Sequence, residues 1–220
     1  MNILIKKEIT DVLPNFKILA FKFSCDIKES DDLIKAKVKE YEDKYKQMTL
    51  EEVLKLERIK EGRDSYKKLG KDPSRYRLAC ESLVRRLVKD MGLYYINNMV
   101  DIGNLLSIEL NRSTAVLDYD KIVGDVTIRL GLSSDEYYGI GRGLINVENI
   151  PVYVDEISPF GSTTSDTLRT SISENTKNIL LFVICFDNTY VLESKNKAIE
   201  MFKEFGKINS IEEIDVKNER

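Results

Sequence analysis

The chain contains a strongly apolar stretch, Asn178-Ile179-Leu180-Leu181-Phe182-Val183-Ile184-Cys185-Phe186. Its β-branched and aromatic side chains predict a strand, because such side chains favour an extended backbone. Glycines and small polar residues separate it from three further predicted strands. These are Ala115–Asp118, Val126–Leu130 and Val152–Asp155. The second half of the chain is therefore expected to be rich in strands.

Both ends of the chain add elements to this sheet. Residues Phe16–Ile27 begin with an aromatic and branched run typical of a strand with one mostly buried face, and Ile3–Lys7 predicts a short strand before it. After the apolar stretch, Asn188–Phe205 predicts a helix that Gly206 closes. A last strand is predicted over Ile211–Val216.

Helical patterns fill the region between the first strands and the later ones. A highly charged helix with a narrow apolar stripe is predicted from Ser30. Thr49 and Glu52 have the spacing of a capping box, in which each side chain satisfies a free amide of the other residue, and they open a second helix. Gly62 and Gly70 are expected to weaken or end that helix.

The clearest helix signal is Asp72-Pro73, an N-cap followed by proline at the first helical position. This helix is predicted to end near Gly92, and another spans Val100–Leu110. With no repeat and no linker, the pattern predicts a single domain over 1–220. Its fold class is α+β, with a helical N-terminal half packed on a mixed β-sheet.

Composition limits the class of protein. With 220 residues and 42% hydrophobic residues, the chain is long and apolar enough to bury a core. Cys25, Cys80 and Cys185 lie far apart in apolar stretches, without the spacing of a zinc site or the even count of a disulfide framework. No signal peptide or membrane span is predicted, so the expected location is the cytoplasm.

The absence of histidine limits the chemistry most strongly. The sequence contains none, which excludes Ser-His-Asp and Cys-His catalysis, histidine-ligated metals and imidazole proton shuttles. We predict no metal and no cofactor. Catalysis by this chain would use carboxylates, hydroxyls, backbone amides, lysine or groups that the substrate supplies.

Charge is distributed unevenly along the chain. From Lys55 to Lys89 there are twelve Lys or Arg against five Asp or Glu, and from Asp118 to Glu174 there are four against ten. Solvated helix faces and loops would explain both regions. The alternative is that the basic helical region contacts phosphates while the acidic half contacts a cationic group.

Several motifs then occur in a fixed order between Asp72 and Phe186. They are Asp72–Arg77 (DPSRYR), Val100–Asn104 (VDIGN), Leu117–Ile122 (LDYDKI), Gly124–Arg129 (GDVTIR), Phe160–Thr170 (FGSTTSDTLRT) and Thr176–Leu180 (TKNIL). This set resembles the editing domain of the phenylalanyl-tRNA synthetase β subunit in its free-standing form. Residues 1–71 and 187–220 carry no such resemblance and are expected to be extensions of the region 72–186.

The resemblance implies a pocket that, in the synthetase, accepts mischarged tyrosine on tRNA and hydrolyses its ester. Two features depart from the synthetase pattern. Its H-A-F-D segment is Ala115-Val116-Leu117-Asp118 here, so Ala115 replaces the pocket histidine, and a Ser/Thr-rich segment replaces its G-I-M-G-G loop. An aminoacyl ester is already activated and has a vicinal ribose hydroxyl. Positioning a water molecule and stabilising the oxyanion would therefore suffice for hydrolysis.

The Ser/Thr-rich segment supplies the candidate catalytic residues. Asp166 is a candidate to accept a proton or bind a substrate ammonium, and Thr163 and Ser165 are candidates to hold the water. Backbone amides of this segment or of the Gly-Arg-Gly turn are candidate oxyanion donors. Candidate ligand-binding residues are Gly141, Arg142, Gly143, Ser162, Arg169, Thr170 and Asn104. The alternative is that the turn is only a hairpin and that the hydroxyls cap their own loop.

Three further groups have two interpretations each. Asp101 and Asn104 lie one helical turn apart, where they line a pocket or hold a neighbouring loop. Tyr137 and Tyr138 stack on a base or pack against the sheet. Basic side chains of the helical region contact RNA phosphates or form ion pairs such as Arg77–Glu81. The RNA-contact candidates are Arg75, Arg85, Arg86 and Lys89.

Two hypotheses about function follow. The first is an editing-like hydrolase that acts in trans on a misacylated tRNA or another aminoacyl ester, and the second is a non-catalytic module that binds RNA or an amino-acid-like ligand. Neither involves DNA or a membrane. Both require the Gly-Arg-Gly turn and the Ser/Thr-rich segment to meet around one hollow, expected near Ala115.

Overall fold

A computed structural model describes every residue from Met1 to Arg220. None of its helices combines the length and the apolar character that crossing a membrane requires. The helices are α1 (Lys7–Thr10), α2 (Asp32–Tyr45), α3 (Leu50–Lys55), α4 (Glu57–Lys68), α5 (Ala79–Val88), α6 (Asn98–Leu110) and α7 (Val191–Glu204). The strands are β1 (Ile3–Ile5), β2 (Lys17–Ser24), β3 (Thr114–Asp118), β4 (Val126–Leu130), β5 (Tyr138–Gly139), β6 (Gly143–Leu144), β7 (Pro151–Val154), β8 (Pro159–Ser162), β9 (Asn178–Cys185), β10 (Glu212–Ile214) and β11 (Val216–Asn218).

The strands form two main sheets and a short hairpin. The mixed sheet has the order β11-β1-β4-β7-β8, in which β1 runs parallel to both of its neighbours and the other pairs are antiparallel. The antiparallel sheet has the order β10-β2-β9-β3, and β5 pairs only with β6. The fold is α+β with a mixed sheet, as the sequence predicts. The second, antiparallel sheet was not foreseen.

Strand β9 is the centre of the antiparallel sheet, and every residue after its first is buried. Toward the mixed sheet, Phe182 contacts Tyr153 of β7 with ring centroids 5.1 Å apart. The opposite face of the same sheet meets helices, where Phe23 of β2 contacts Phe202 of α7 at 4.9 Å. A continuous apolar run is therefore required here, because neither face of the strand reaches water.

Helix α6 packs closely against β3. The Thr114 hydroxyl donates a hydrogen bond of 2.9 Å to the carbonyl oxygen of Gly103. A Cβ atom on Gly103 would lie 2.3 Å from Cγ2 of Val116, which is well inside van der Waals contact. Glycine at this position allows helix and strand to approach to this distance.

Side-chain caps begin two of the early helices. Thr49 and Glu52 form the predicted capping box, with the Thr49 hydroxyl accepting the Glu52 amide and the Glu52 carboxylate accepting the Thr49 amide. Asp31 accepts the Ile34 amide at 3.0 Å to begin α2. Each bond satisfies an amide that a helix start leaves free.

Gly62 does not end a helix, whereas the helix does end beside Gly70. Gly62 lies inside α4, which ends at Lys68, just before Gly70. A Cβ atom on Gly62 would lie 2.5 Å from Cδ1 of Leu78 and 3.2 Å from the Phe186 ring. Close packing explains this glycine, and a helix can include one at a cost of about 1 kcal/mol relative to alanine.

The predicted helix start at Asp72-Pro73 was also wrong. The Asp72 carbonyl accepts the Arg75 and Tyr76 amides, which closes a single turn, and α5 begins only at Ala79. Leu78 is extended, with ψ of 147°, and its buried side chain packs against Gly62. That tertiary contact overrides the local N-cap signal.

The predicted last strand, Ile211–Val216, is in fact two strands. β10 pairs with β2 in the antiparallel sheet, and β11 pairs with β1 in the mixed sheet. Asp215 lies between them, where the chain crosses from one sheet to the other. A sequence pattern of alternating residues does not reveal such a change of sheet.

The close approach of α6 and β3 yields a test. In the wild-type background, Gly103→Ala should lower the free energy of unfolding by about 1–3 kcal/mol, because the new methyl group overlaps Val116. In a Val116→Ala background the same substitution should raise it, because alanine favours a helix over glycine by about 1 kcal/mol.

Urea unfolding of the four proteins measures both effects as a double-mutant cycle. The Val116→Ala protein supplies the baseline for the methyl groups lost from the strand. A Gly103→Ala protein as stable as wild type would contradict the packing described.

Candidate functional site

A mostly apolar cavity of about 350 Å³ lies along the free edge of β3. Because β3 is the last strand of its sheet, non-strand segments cover that edge. Helix α6 forms one wall, and the segment 166–172 forms another. The lining residues are Ile96, Val100, Gly103, Asn104, Thr114, Val116, Leu117, Ile140, Asp166, Leu168, Ser171 and Ile172.

The two polar residues on α6 have different roles. Asp101 is buried and accepts hydrogen bonds from the Ser30 hydroxyl at 2.6 Å and the Ile96 amide at 3.0 Å, so it holds the loop before the helix. Asn104, one turn later, is half-buried and faces the cavity. No protein group engages its carboxamide, which leaves both a donor and an acceptor for a ligand.

Serine hydroxyls of the Ser/Thr-rich segment close their own turn. The Ser162 hydroxyl donates to the Ser165 carbonyl at 2.8 Å and accepts the Thr164 and Ser165 amides at 3.3 and 3.1 Å. The Ser165 hydroxyl reaches the carbonyl of the next residue at 3.4 Å. Neither Ser162 nor Ser165 lines the cavity, so the self-capping interpretation describes both hydroxyls.

Threonines of the same segment are also structural. Thr163 is fully buried, and its hydroxyl shares a hydrogen bond with the Tyr66 hydroxyl, which also lies 2.8 Å from Oγ1 of Thr164. The buried Thr170 hydroxyl donates to the Phe160 carbonyl at 3.3 Å. The structure thus turns Thr163 and Thr170 away from the cavity, where the sequence analysis had expected them to hold water and ligand.

The hairpin that carries the Gly-Arg-Gly turn contacts the Ser/Thr-rich segment through the two residues before the turn. The Ile140 amide donates to the Asp166 carbonyl at 2.9 Å, and Gly139 forms a β-bridge with Thr167. The buried Tyr137 hydroxyl donates to the Ser165 carbonyl. These bonds bring Ile140 and Asp166 to the same cavity.

Asp166 is the one ionisable side chain that lines the cavity. Asp166 as a whole is half-buried, and its carboxylate has no lysine or arginine partner. Burial raises the pKa of the Asp166 carboxyl to about 7, and a hydrogen bond from the Ser162 backbone opposes this only in part. The group therefore exchanges a proton near neutral pH, as a general acid or base requires.

Arg169 does not reach the cavity. Its guanidinium forms an ion pair of 2.8 Å with Asp155 and donates to the Lys121 carbonyl at 3.0 Å. Backbone bonds and Arg169 together hold the pKa of Asp155 below its usual value. The expectation that Arg169 binds a ligand was wrong, because both of its terminal nitrogens donate to protein oxygens and the guanidinium does not line the cavity.

The turn of Gly141, Arg142 and Gly143 is exposed at the tip of the β5–β6 hairpin. Both glycines have positive φ, at 67° and 68°, as the tight turn requires. Arg142 donates to the Ser82 hydroxyl at 3.3 Å, at the surface. The turn adjoins the cavity without lining it.

Ala115 does not border the cavity either. It pairs with Phe182 across the sheet and is buried on the face toward the mixed sheet. Side chains alternate along a strand, so Thr114 and Val116 face the helix and Ala115 faces away. The expected hollow near Ala115 is therefore displaced to the opposite face of β3.

The basic candidates for RNA contact divide into two groups. Arg85 pairs with Glu81 at 3.5 Å, and Arg86 donates to the Gly92 carbonyl and stacks on Tyr94. Arg75 and Lys89 are exposed and have no carboxylate partner. Only the second group is free for an anion.

Sequence analysis missed most of the cavity wall. Val100, Val116 and Ile172 are apolar residues of a helix, an edge strand and a loop, and nothing in the sequence separates them from core residues. It also missed Tyr66, which fastens the Ser/Thr-rich segment to α4. No three His, Cys, Asp or Glu side chains lie close enough together to hold a metal ion.

Comparisons with known proteins place the chain among relatives of one kind. A family model described as the B3/4 domain matches residues 62–204. The phenylalanine–tRNA ligase β subunit of Fusobacterium nucleatum subsp. nucleatum is 34% identical over 102 residues, which are 45% of this chain and 13% of that protein. The crystal structure of an N-terminal fragment of the phenylalanyl-tRNA synthetase β subunit from Pyrococcus horikoshii matches with a TM-score of 0.54 at 9% identity.

The structural match covers 99% of this chain and 52% of the archaeal fragment, and at that identity it supports the fold alone. The chain thus spans about half of that fragment and a small part of the bacterial subunit. The family model covers well over half of the chain. The chain therefore belongs to the B3/4 domain family, which is found in phenylalanyl-tRNA synthetase β subunits.

Proposed function

We propose that this protein hydrolyses the ester of a misacylated tRNA in the cavity beside β3. The observation that carries the proposal is a single carboxylate, Asp166, facing an otherwise mostly apolar cavity with its pKa raised to about 7. Apolar walls suit an amino-acid side chain, and a free carboxylate and a free carboxamide suit the ester. The match to a tRNA ligase subunit motivates tRNA as the partner.

In the proposed reaction, Asp166 accepts a proton from a water molecule as that water attacks the ester carbonyl carbon. A carbon–oxygen bond forms to the water, and the ester bond to the ribose oxygen breaks. The ribose oxygen then takes the proton from Asp166, so no further co-reactant is needed. Asn104, whose carboxamide is free, donates a hydrogen bond to the carbonyl oxygen as it gains negative charge.

Thr163, Ser165 and Ser162 have no part in this reaction. Their hydroxyls are used by Tyr66 or by their own loop. Their role is to fix the backbone on which Asp166 lies, which is the function of a supporting shell around a reactive group. Removing their hydroxyls is expected to act through the position of Asp166.

The proposal includes a cytoplasmic location. Cys25, Cys80 and Cys185 are all free thiols, and two of the three are buried. Free cysteines are usual in the reducing compartment where tRNA is aminoacylated.

A second candidate is a module that binds an amino-acid-like group without hydrolysing it. It is favoured by the two hydroxyl groups that line the cavity, Thr114 and Ser171, because they donate to the Gly103 and Leu168 carbonyls and neither has a side-chain base beside it. In that case Asp166 would form an ion pair with the substrate ammonium. The two candidates therefore assign Asp166 opposite tasks, acting on water or on the ligand.

Substitution of Asp166 distinguishes them. With tyrosyl and other mischarged tRNAs as substrates, Asp166→Asn should lower the single-turnover deacylation rate by about 100-fold or more while leaving Kd for the tRNA near its wild-type value. The binding module predicts that wild type does not hydrolyse above the buffer rate. It also predicts that Asp166→Asn weakens the binding of the aminoacyl group.

The matched control is Glu174→Gln, which removes one exposed carboxylate outside the cavity. Thermal unfolding should show Asp166→Asn at least as stable as wild type above neutral pH, because a half-buried carboxylate without a cationic partner is removed. Loss of activity would then not be due to unfolding. Equal hydrolysis by wild type and Asp166→Asn would contradict the catalytic assignment.

The pH dependence gives an independent check. A general base acts in its ionised form, so the deacylation rate above buffer should rise about tenfold per pH unit below the pKa and level off above it. With burial raising the pKa of Asp166 to about 7, the bend should appear near neutral pH. Rates measured from pH 5 to 9 with background subtraction test this, and a profile without that bend would exclude Asp166 as the base.

A further inference from the structure

The arginines of this chain differ in whether a carboxylate neutralises them. Six of the eleven, such as Arg63 on Glu81, form ion pairs. Arg77 and Arg142 do not, although both are exposed side chains on neighbouring segments. A guanidinium group without a carboxylate partner is available to an anion.

Arg142 contacts the helix that begins two residues after Arg77. Desolvation, and then the positive charge of Arg77, lower the pKa of Arg142. Arg142 extends from the hairpin tip to the first turn of α5, where it donates to Ser82 at 3.3 Å, and Arg77 lies two residues before that helix. Ser82 adds a hydroxyl to the guanidinium donors at this point of the surface.

This basic pair adjoins the cavity of the proposed function. Arg142 is two residues from Ile140, which lines the cavity and bonds to the Asp166 backbone. In the same hairpin, Tyr138 is 60% exposed, while its neighbour Tyr137 is buried. Single-stranded nucleic acid is bound by surfaces that carry both exposed aromatic rings, which stack on bases, and cations, which contact phosphates.

We infer that Arg77, Arg142 and Ser82 form a phosphate-binding site that grips a backbone phosphate of single-stranded RNA next to the cavity. Guanidinium groups bind phosphate oxygens with paired donors, which a lysine cannot do. The choice of RNA as the ligand rests on the proposed function. In that function, the site would hold the end of a tRNA while the aminoacyl group enters the cavity. Tyr138 stacks on a base of the same strand.

Binding of uncharged RNA tests the site without any ester. The probe is a fluorescent single-stranded oligoribonucleotide with the 3′-terminal sequence of a tRNA, titrated by anisotropy at several salt concentrations. Arg77→Gln and Arg142→Gln should each weaken binding about tenfold and lower the slope of log K against log salt by about 1. Tyr138→Ala should weaken binding at every salt concentration with the slope unchanged.

The matched control is Arg220→Gln, which removes an exposed arginine that also lacks an ion pair but lies at the end of the chain. It should leave affinity and slope as in wild type. Thermal unfolding of each variant checks that the fold is retained.

Free inorganic phosphate could bind the same groups as an RNA phosphate. Calorimetric titration with inorganic phosphate alone tests for that binding. RNA binding that depends on Arg77 and Arg142 supports the inference. A double variant with wild-type affinity and salt slope overturns it, and so does a wild-type protein that binds inorganic phosphate but no RNA. The oligonucleotide carries no amino acid, so the binding measurement does not depend on whether the protein hydrolyses an ester. Failure of the phosphate site can therefore be told apart from failure of the proposed hydrolysis.

Discussion

The burial of β9 on both faces is the constraint on which the rest of the structure depends. A strand enclosed between helices and a second sheet carries no polar face, so its hydrogen bonds must be made by strands on both sides, β2 and β3. With β2 joined to β10, β3 becomes the edge of the sheet. The edge is covered by α6 and the segment 166–172 instead of another strand, and the cavity lies between these two segments and β3.

One wall of the cavity is held by close packing and the other by hydrogen bonds. On one side, Gly103 lets α6 approach Val116 so closely that a Cβ atom would not fit between them. On the other, Tyr66 and the bonds of Ser162 hold the segment that carries Asp166. The hydroxyl groups that look like catalytic residues therefore serve to position a carboxylate, whose raised pKa reflects burial without a cationic partner.

Sequence patterns predicted what depends on local signals and missed what depends on distant contacts. The apolar strand, the Thr49–Glu52 capping box and the α+β class followed from periodicity and capping. A helix end at Gly62 and a helix start at Asp72 were expected and are not found, because Leu78 packs closely against Gly62. Asp166 is contacted by Ile140, just before the Gly-Arg-Gly turn, and the turn itself does not line the cavity as expected. Arg169 was assigned to a ligand and Thr163 to water, since their protein partners, Asp155 and Tyr66, are remote in sequence.

The central claim is that the aminoacyl group occupies the cavity beside β3 with its ester next to Asp166 and Asn104. A crystal structure with a non-hydrolysable aminoacyl-adenosine amide tests it most directly. The account predicts the amino-acid side chain among Val100, Val116 and Ile172, with the linkage carbonyl about 3 Å from Asn104. A ligand bound elsewhere, while the cavity stays empty or is filled by the protein's own side chains, would contradict it.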